Sequence, residues 1–242
     1  MDTIRINRKH VKLIAHRGVS GLERENTCPA FLAAGNRSYF GIETDIHVAA
    51  DGQFVVIHDE TTTRVTLGKT EINVEAQPYS AVADLILPDL DGSLHRSDIR
   101  IPLLAEYISI CKKYDKKAVL ELKNPMAQVH IARLVEQLQE MDYLENMIFI
   151  SFSMENCIAL RALLPNAHIQ WLTSKSIDEE IIAQLVAHRL DLDILYEQLN
   201  AELVKKLHRR NIIVNCWTCD DPQKADKLIE MGVDMITTNI LE

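Results

Sequence analysis

The stretch MIFISFSMENCIALRALLPNAHIQWL (147–172) decides the fold. It begins with an apolar, β-rich run at 147–152, continues with a helical pattern over 154–164 and returns to an apolar run at 167–172. Short, almost continuous apolar runs are typical of strands that are buried on both faces of a parallel sheet, and an intervening helix is typical of a crossover connection. The stretch therefore predicts one βαβ unit.

The same alternation extends along the chain in both directions. Strands are predicted over 12–17, 40–48, 117–123, 147–152, 167–172, 190–195, 211–217 and 233–238, and helices over 28–38, 103–114, 127–141, 154–164, 178–189, 200–210 and 222–231. This pattern predicts an α/β fold, a parallel TIM (β/α)8 barrel, because an open flavodoxin-like sheet would use only about five of the strands. The length of 242 residues suits one barrel domain over 1–242.

Two places interrupt this alternation. Asp51-Gly52 is a two-residue turn signal at a point where a helix would otherwise follow the second strand, so we expect a β-hairpin there. A two-residue loop would pair Asp45 with His58 across the hairpin. Residues 60–101 form a long irregular stretch, and we expect a small insertion after the second strand.

Composition excludes several classes of function. The net charge is −9 and the pI is about 5.5, so a nucleic-acid partner is not expected. No apolar run is long enough for a transmembrane segment or a signal peptide. The five cysteines are scattered and odd in number, which is typical of reduced thiols and predicts a cytoplasmic location.

Ionisable side chains gather where the predicted strands end. They are His16 and Arg17 on the first strand, Glu43 and Asp45 on the second, Glu121 and Lys123 on the third, with Trp217 on the seventh. Chemistry in a β/α barrel lies at these carboxyl ends. Because side chains on a strand alternate between its faces, residues two apart, such as Glu43 and Asp45, point the same way.

Three carboxylates in one cleft repel each other unless a cation neutralises them. Hard oxygen ligands suit Mg²⁺ or Ca²⁺. The alternative is a ring of salt bridges with Arg17 and Lys123. Two histidines, His16 and His58, are expected at the same mouth and favour a catalytic site, since an ion-pair network does not need an acid-base pair.

The motifs along the chain resemble those of the glycerophosphodiester phosphodiesterases. They are HRG (16–18), ENT (25–27), ETD (43–45), DG (51–52), HD (58–59), ELK (121–123), SF (151–152), WT (217–218) and GVDMITTN (232–239). Their order and spacing cover nearly the whole chain. The sequence departs from the family at Arg24, where proline is usual, and at Cys219, where an aliphatic residue is usual.

This resemblance implies a TIM barrel that hydrolyses deacylated phospholipids, such as glycerophosphocholine or glycerophosphoethanolamine, to sn-glycerol 3-phosphate and an alcohol with Mg²⁺ or Ca²⁺. It implies the following roles: metal ligands Glu43, Asp45 and Glu121; an acid-base pair His16 and His58; phosphate contacts Arg17 and Lys123; a glycerol-pocket wall Trp217; supporting residues Glu25 and Asn26. Our working assignment makes His16 the base and His58 the acid, although the sequence does not distinguish them.

Two other functions remain open at this point. A lysophospholipase D-type or phosphatidylinositol-phospholipase-like activity would need a hydrophobic entrance, and LILPDL (85–90) would either supply one or pack on the barrel. A non-catalytic phosphodiester-binding barrel is the third possibility.

His47, on the hairpin, is expected to face solvent. The sequence specifies neither the headgroup nor the oligomeric state.

Overall fold

A computed structural model describes residues 2–242. The strands are β1 (Lys12–Ala15), β2 (Gly41–Val48), β3 (Phe54–Val56), β4 (Lys117–Leu122), β5 (Met147–Ser151), β6 (His168–Thr173), β7 (Asp191–Leu195), β8 (Val214–Trp217) and β9 (Met235–Thr238). The helices are α1 (Cys28–Gly35), α2 (Leu104–Lys113), α3 (Gln128–Glu140), α4 (Met154–Leu163), α5 (Glu179–His188), α6 (Ala201–His208) and α7 (Pro222–Met231).

Eight parallel strands close into a barrel in the order β1-β9-β8-β7-β6-β5-β4-β2, and β1 also pairs with β2. Ile14 on β1 lies beside Gly41 on β2 and beside Thr237 on β9, which completes the ring. The predicted TIM barrel is confirmed, with β3 as an extra antiparallel strand. No helix within residues 2–242 combines the length and the apolar character that crossing a bilayer requires.

The barrel strands are buried on both faces, which explains their almost continuous apolar runs. The inner face has an apolar cluster of Ile14, Val119, Ile148, Ile150, Leu172 and Met235. Side chains on the outer face pack against the helices in a second, larger cluster. Local signals define helix ends. At α7, the Asp221 side chain accepts hydrogen bonds from the backbone N–H groups of Gln223 and Lys224, and Gly232 ends the helix with φ of +90°.

The hairpin between β2 and β3 differs by one residue from the predicted register. Ile46 pairs with Val56, and the backbone N–H of Ala49 donates to the carbonyl of Gln53, so the loop has three residues. Gly52 provides the left-handed conformation, with φ of +80°, that such loops need. The predicted pairing of Asp45 with His58 is therefore wrong, and Asp45 lies opposite Ile57 instead.

Residues 60–101 pack onto this hairpin through a separate apolar cluster. Its buried members from this segment are Val65, Val74, Val82, Leu87, Ile99 and Ile101, and they contact Val55 and Ile57 of the hairpin. Within LILPDL, Leu87 is buried in this cluster and Leu90 is exposed. Packing of the segment on the hairpin places its polar side chains near the end of β2.

Candidate active site

A cavity of about 150 Å³ opens at the carboxyl ends of the barrel strands. Of the residues predicted to face this mouth, the following line the cavity: His16, Arg17, Glu43, His58, Glu121, Lys123 and Trp217. Asp45 lies directly beside Glu43 and Glu121. The strand ends thus bring all eight predicted residues into one region.

The three carboxylates form a compact buried cluster. One oxygen each from Glu43, Asp45 and Glu121 lie within 4.8 Å of one another, and the three residues are at most 6% exposed. Asp45 Oδ1 and Glu121 Oε1 have no well-aligned hydrogen-bond donor within residues 2–242, although the ammonium group of Lys123 lies near both. Carboxylate oxygens that converge on one point are suited to a hard divalent cation.

Two cations also contact the carboxylates. Lys123 Nζ lies 2.7 Å from Glu121 Oε1 and 3.4 Å from Asp45 Oδ1. Arg17 Nε lies 3.3 Å from Asp45 Oδ2, and the Arg17 backbone N–H donates to Glu43 Oε2 at 2.8 Å. The salt bridges considered as an alternative are therefore present, yet two cations do not balance three carboxylates.

This imbalance separates the pKa values of the three acids. Burial and the charge of Asp45 raise the pKa of Glu121 to about 8 and raise that of Glu43 well above its ordinary value. Burial opposes ionisation of Asp45, but Arg17 and Lys123 hold its pKa well below its ordinary value. Without a further cation, the Glu43–Asp45–Glu121 cluster therefore favours holding a proton at neutral pH, and a divalent ion would displace it.

The supporting residues fix the orientation of this cluster. Asn26 Nδ2 donates to Asp45 Oδ2 at 2.7 Å, and Asn26 Oδ1 accepts from Thr44 Oγ1 at 2.8 Å. Glu25 accepts from Arg17 Nη1 at 2.8 Å. Burial raises the pKa of Glu25, but hydrogen bonds and charges from Arg64 and Arg17 lower it to about 2. Glu25 is thus an anionic clamp on Arg17.

His16 is held in one tautomer by Asn239. The Asn239 Nδ2 group donates to Asp220 Oδ2 at 2.6 Å, so its Oδ1 faces His16 Nδ1 at 2.7 Å and accepts a hydrogen bond from it. The Nε2 lone pair of His16 is then free to accept a proton. Burial and the neighbouring Arg17 charge lower the pKa of His16 to about 4, so the ring is neutral at pH 7.

His58 has a different environment. Its Nδ1 lies 2.6 Å from Asp59 Oδ1, and Arg64 Nε donates to Asp59 Oδ2 at 2.6 Å. Burial and the charges of Arg17 and Lys123 lower the pKa of His58 below its ordinary value, while Asp45 and the hydrogen bond to Asp59 offset part of that shift. A carboxylate partner stabilises imidazolium, which is the protonated form that an acid requires.

The prediction that His47 faces solvent is wrong. Its side chain is 2% exposed, its Nδ1 lies 2.7 Å from Glu75 Oε1, and its Nε2 lies 3.0 Å from the backbone carbonyl oxygen of His58. Asn124 Nδ2 also donates to Glu75 at 2.7 Å. His47 therefore joins the segment 60–101 to the backbone that carries His58.

Several residues that hold the two histidines in place have no role predicted from the sequence. Asp59 belongs to the HD motif and Asn239 to the GVDMITTN motif, so these two motifs could have indicated that both residues act at the site. Glu75 and Arg64 lie in the irregular segment, where no pattern marks them. Their contacts depend on how that segment packs on the hairpin.

Comparisons with known proteins agree with this geometry. The model of the glycerophosphoryl diester phosphodiesterase family matches residues 16–242. A glycerophosphodiester phosphodiesterase from Caldanaerobacter subterraneus subsp. tengcongensis is 28% identical over 236 residues, which cover 94% of this chain and 93% of that protein.

Two solved structures are also similar. A glycerophosphodiester phosphodiesterase from Parabacteroides distasonis has a TM-score of 0.79 at 27% identity, covering 95% of this chain and 93% of that one. An Oleispira antarctica phosphodiesterase in complex with the product sn-glycerol-3-phosphate has a TM-score of 0.84 at 25% identity, covering 94% and 92%. The match over nearly the whole length, together with the carboxylate and histidine site, shows that this chain belongs to the glycerophosphoryl diester phosphodiesterase family.

Proposed function

We propose that this enzyme hydrolyses deacylated phospholipids, such as glycerophosphocholine or glycerophosphoethanolamine, to sn-glycerol 3-phosphate and an alcohol, using a divalent metal and two histidines. The observation that carries the proposal is the single cavity in which a neutral histidine, a carboxylate-paired histidine and three buried carboxylates meet. The product complex of the Oleispira antarctica relative supports sn-glycerol 3-phosphate as the product.

Glu43, Asp45 and Glu121 would hold the metal, Mg²⁺ or Ca²⁺. Their converging oxygens and the raised pKa values of Glu43 and Glu121 fit such an ion. When bound, the ion supplies positive charge that neutralises the phosphodiester and the charge that develops on it in the transition state.

Arg17 and Lys123 would bind the phosphate oxygens. Both side chains line the cavity, and both are already fixed by carboxylates, so little reorganisation is needed when the substrate enters. Preorganised positive groups in a cavity that excludes water stabilise developing negative charge more strongly than water does. Trp217 would form a wall of the pocket for the glycerol moiety.

His16 would act as the base and His58 as the acid. The Nε2 lone pair of His16 removes the proton from the attacking hydroxyl, for which family resemblance indicates the glycerol 2-hydroxyl. His58 donates its proton to the oxygen of the departing alcohol, so that a cyclic phosphate forms and the P–O bond to the alcohol breaks. Water then opens the cyclic phosphate with the proton transfers reversed.

The test measures sn-glycerol 3-phosphate released from glycerophosphocholine and glycerophosphoethanolamine in Mg²⁺, Ca²⁺ or EDTA. Release that EDTA abolishes, and that falls in Glu43→Gln but not in the exposed control His95→Ala, supports the proposal. Absence of release by folded protein with either metal would refute it. Lysophosphatidylcholine is the parallel substrate, and preferential cleavage of it would favour the lysophospholipase D-type alternative.

A further inference from the structure

Asp193 is a buried carboxyl group in the cavity that the proposed mechanism does not use. It lies on β7, beside Leu172 on β6 and Asn215 on β8, and is 1% exposed. Asp193 lines the cavity, yet its Oδ1 has no hydrogen-bond partner within residues 2–242. An unpaired buried polar atom costs about 1–3 kcal/mol, so its presence calls for an explanation.

Neighbouring polar residues inside the barrel do not provide a partner for Asp193. Asn215 Nδ2 donates to Gln170 Oε1 at 3.2 Å, and Thr237 Oγ1 donates to Asn215 Oδ1 at 3.4 Å. These three side chains satisfy one another across β6, β8 and β9. Asp193 takes no part in this network although it lies on the strand between β6 and β8.

A second unpaired polar atom belongs to the same cavity. The indole Nε1 of Trp217 is buried and has no hydrogen-bond partner in the described chain, and Trp217 lines the cavity together with Asp193. Ile150 and Leu172 supply apolar surface beside them. Apart from the charged groups at the mouth and the Thr237 hydroxyl, which donates to Asn215, the cavity therefore offers one buried carboxyl group and one N–H donor to a ligand.

The burial of the Asp193 carboxyl group favours a neutral ligand group over a charged one. Burial raises the pKa of Asp193 well above its ordinary value, and the nearby Glu121 adds to this effect. A protonated carboxyl group donates one hydrogen bond and accepts another, which matches an alcohol. A cationic headgroup would instead need an ionised carboxylate.

We propose that Asp193 binds the terminal hydroxyl group of the substrate's glycerol moiety and selects substrates in which that hydroxyl is free. This inference rests on the proposed function, because it places a glycerol moiety in the cavity. A cavity of about 150 Å³ holds a ligand the size of benzene, which has as many non-hydrogen atoms as glycerol. An acyl chain on the terminal hydroxyl would remove the O–H group that Asp193 binds.

The test compares two substrates that differ in one hydroxyl group. Glycerophosphocholine carries the terminal hydroxyl, whereas the phosphocholine ester of propane-1,2-diol lacks only that group and keeps the hydroxyl next to the phosphate ester. We expect wild-type kcat/KM to be about 10- to 100-fold higher for glycerophosphocholine, since the analogue leaves Asp193 unpaired. Equal rates would overturn the inference, while failure to hydrolyse glycerophosphocholine would refute the proposed function itself.

Two variants assign the discrimination to Asp193. Asp193→Leu has nearly the same side-chain shape without polar atoms. We therefore expect the ratio of kcat/KM for glycerophosphocholine to that for the propane-1,2-diol analogue to fall to about threefold or less, while the thermal midpoint stays equal or rises. Asp193→Asn keeps a donor and an acceptor and should retain most of the discrimination. If Asp193→Leu preserves the wild-type ratio, the inference is wrong.

A binding measurement on the wild-type enzyme keeps the inference testable if Asp193→Leu does not fold. Inhibition by sn-glycerol 3-phosphate is compared with inhibition by the phosphate ester of propane-1,2-diol, which lacks the terminal hydroxyl. We expect weaker inhibition by the second compound, by about tenfold or more. Equal inhibition constants would contradict a hydrogen bond between Asp193 and that hydroxyl.

Discussion

Replacing Glu121 by glutamine should make the metal-free enzyme more stable while preventing metal binding. Burial and the charge of Asp45 raise the pKa of Glu121 from 4.5 to about 8. Between these values the folded chain keeps a proton that the unfolded chain loses, so this group lowers the free energy of unfolding progressively as the pH rises. Glutamine has nearly the same shape and does not titrate.

The size of this effect follows from the pKa shift. Each pH unit between the two pKa values changes the free energy of unfolding by about 1.4 kcal/mol. Because the unfolded chain loses the Glu121 proton and the folded chain keeps it, this group lowers the free energy of unfolding by about 3 kcal/mol at pH 7 and by less than about 1 kcal/mol at pH 5. The loss of the contact between Glu121 and Lys123, 2.7 Å long, offsets part of the gain at both pH values. The stability difference between variant and wild type should therefore grow by about 2–3 kcal/mol from pH 5 to pH 7.

The assay is urea unfolding in EDTA at both pH values, with the exposed carboxylate variant Glu71→Gln as the control. A pH-independent difference between Glu121→Gln and wild type, or one that shrinks as pH rises, would refute the reasoning. A second arm adds metal. A ligand at 100 times its dissociation constant stabilises by about 2.7 kcal/mol, and we expect this gain in wild type but not in Glu121→Gln.

Three further predictions concern the histidines. His16→Ala and His58→Ala should each lower kcat by about 10²- to 10⁴-fold with folding intact, whereas a loss below tenfold in both would contradict acid-base catalysis. Asn239→Leu should lower kcat at least about tenfold with little change in KM, because His16 loses the hydrogen bond that fixes its tautomer. An unchanged kcat would exclude a positioning role for Asn239. His47→Phe removes the hydrogen bonds to Glu75 and to the His58 carbonyl. We expect urea titrations to show that the free energy of unfolding falls by about 1–3 kcal/mol. A smaller loss would argue that these hydrogen bonds do not stabilise the fold.

Simple periodicity was enough to predict the carboxylate cluster. Glu43 and Asp45 are two residues apart on β2, and alternation alone puts both inside the barrel. Glu121 follows by the same rule on β4, where Asp45 and Glu121 are direct neighbours in the sheet. Residues on different strands meet because parallel strands end on one side of the barrel.

Two predictions were wrong, the register of the hairpin and the exposure of His47, and each depended on a single loop residue or a single side chain. Asp51-Gly52 fits either a two-residue or a three-residue loop, and only the pairing of Ala49 with Gln53 distinguishes them. His47 became buried because a distant segment covers it with Glu75, a contact that no local pattern encodes. The sequence does mark Asp193, because a carboxyl group inside an apolar run must either have a polar partner or bind a ligand.

Closure of the barrel has a consequence for refolding kinetics. Ile14 pairs with Thr237, so the seam between β1 and β9 joins residues from opposite ends of the chain. Contacts of such long sequence separation form slowly. After dilution from denaturant, far-ultraviolet circular dichroism should therefore recover before hydrolytic activity does, and simultaneous recovery would show that the seam is not the slow step.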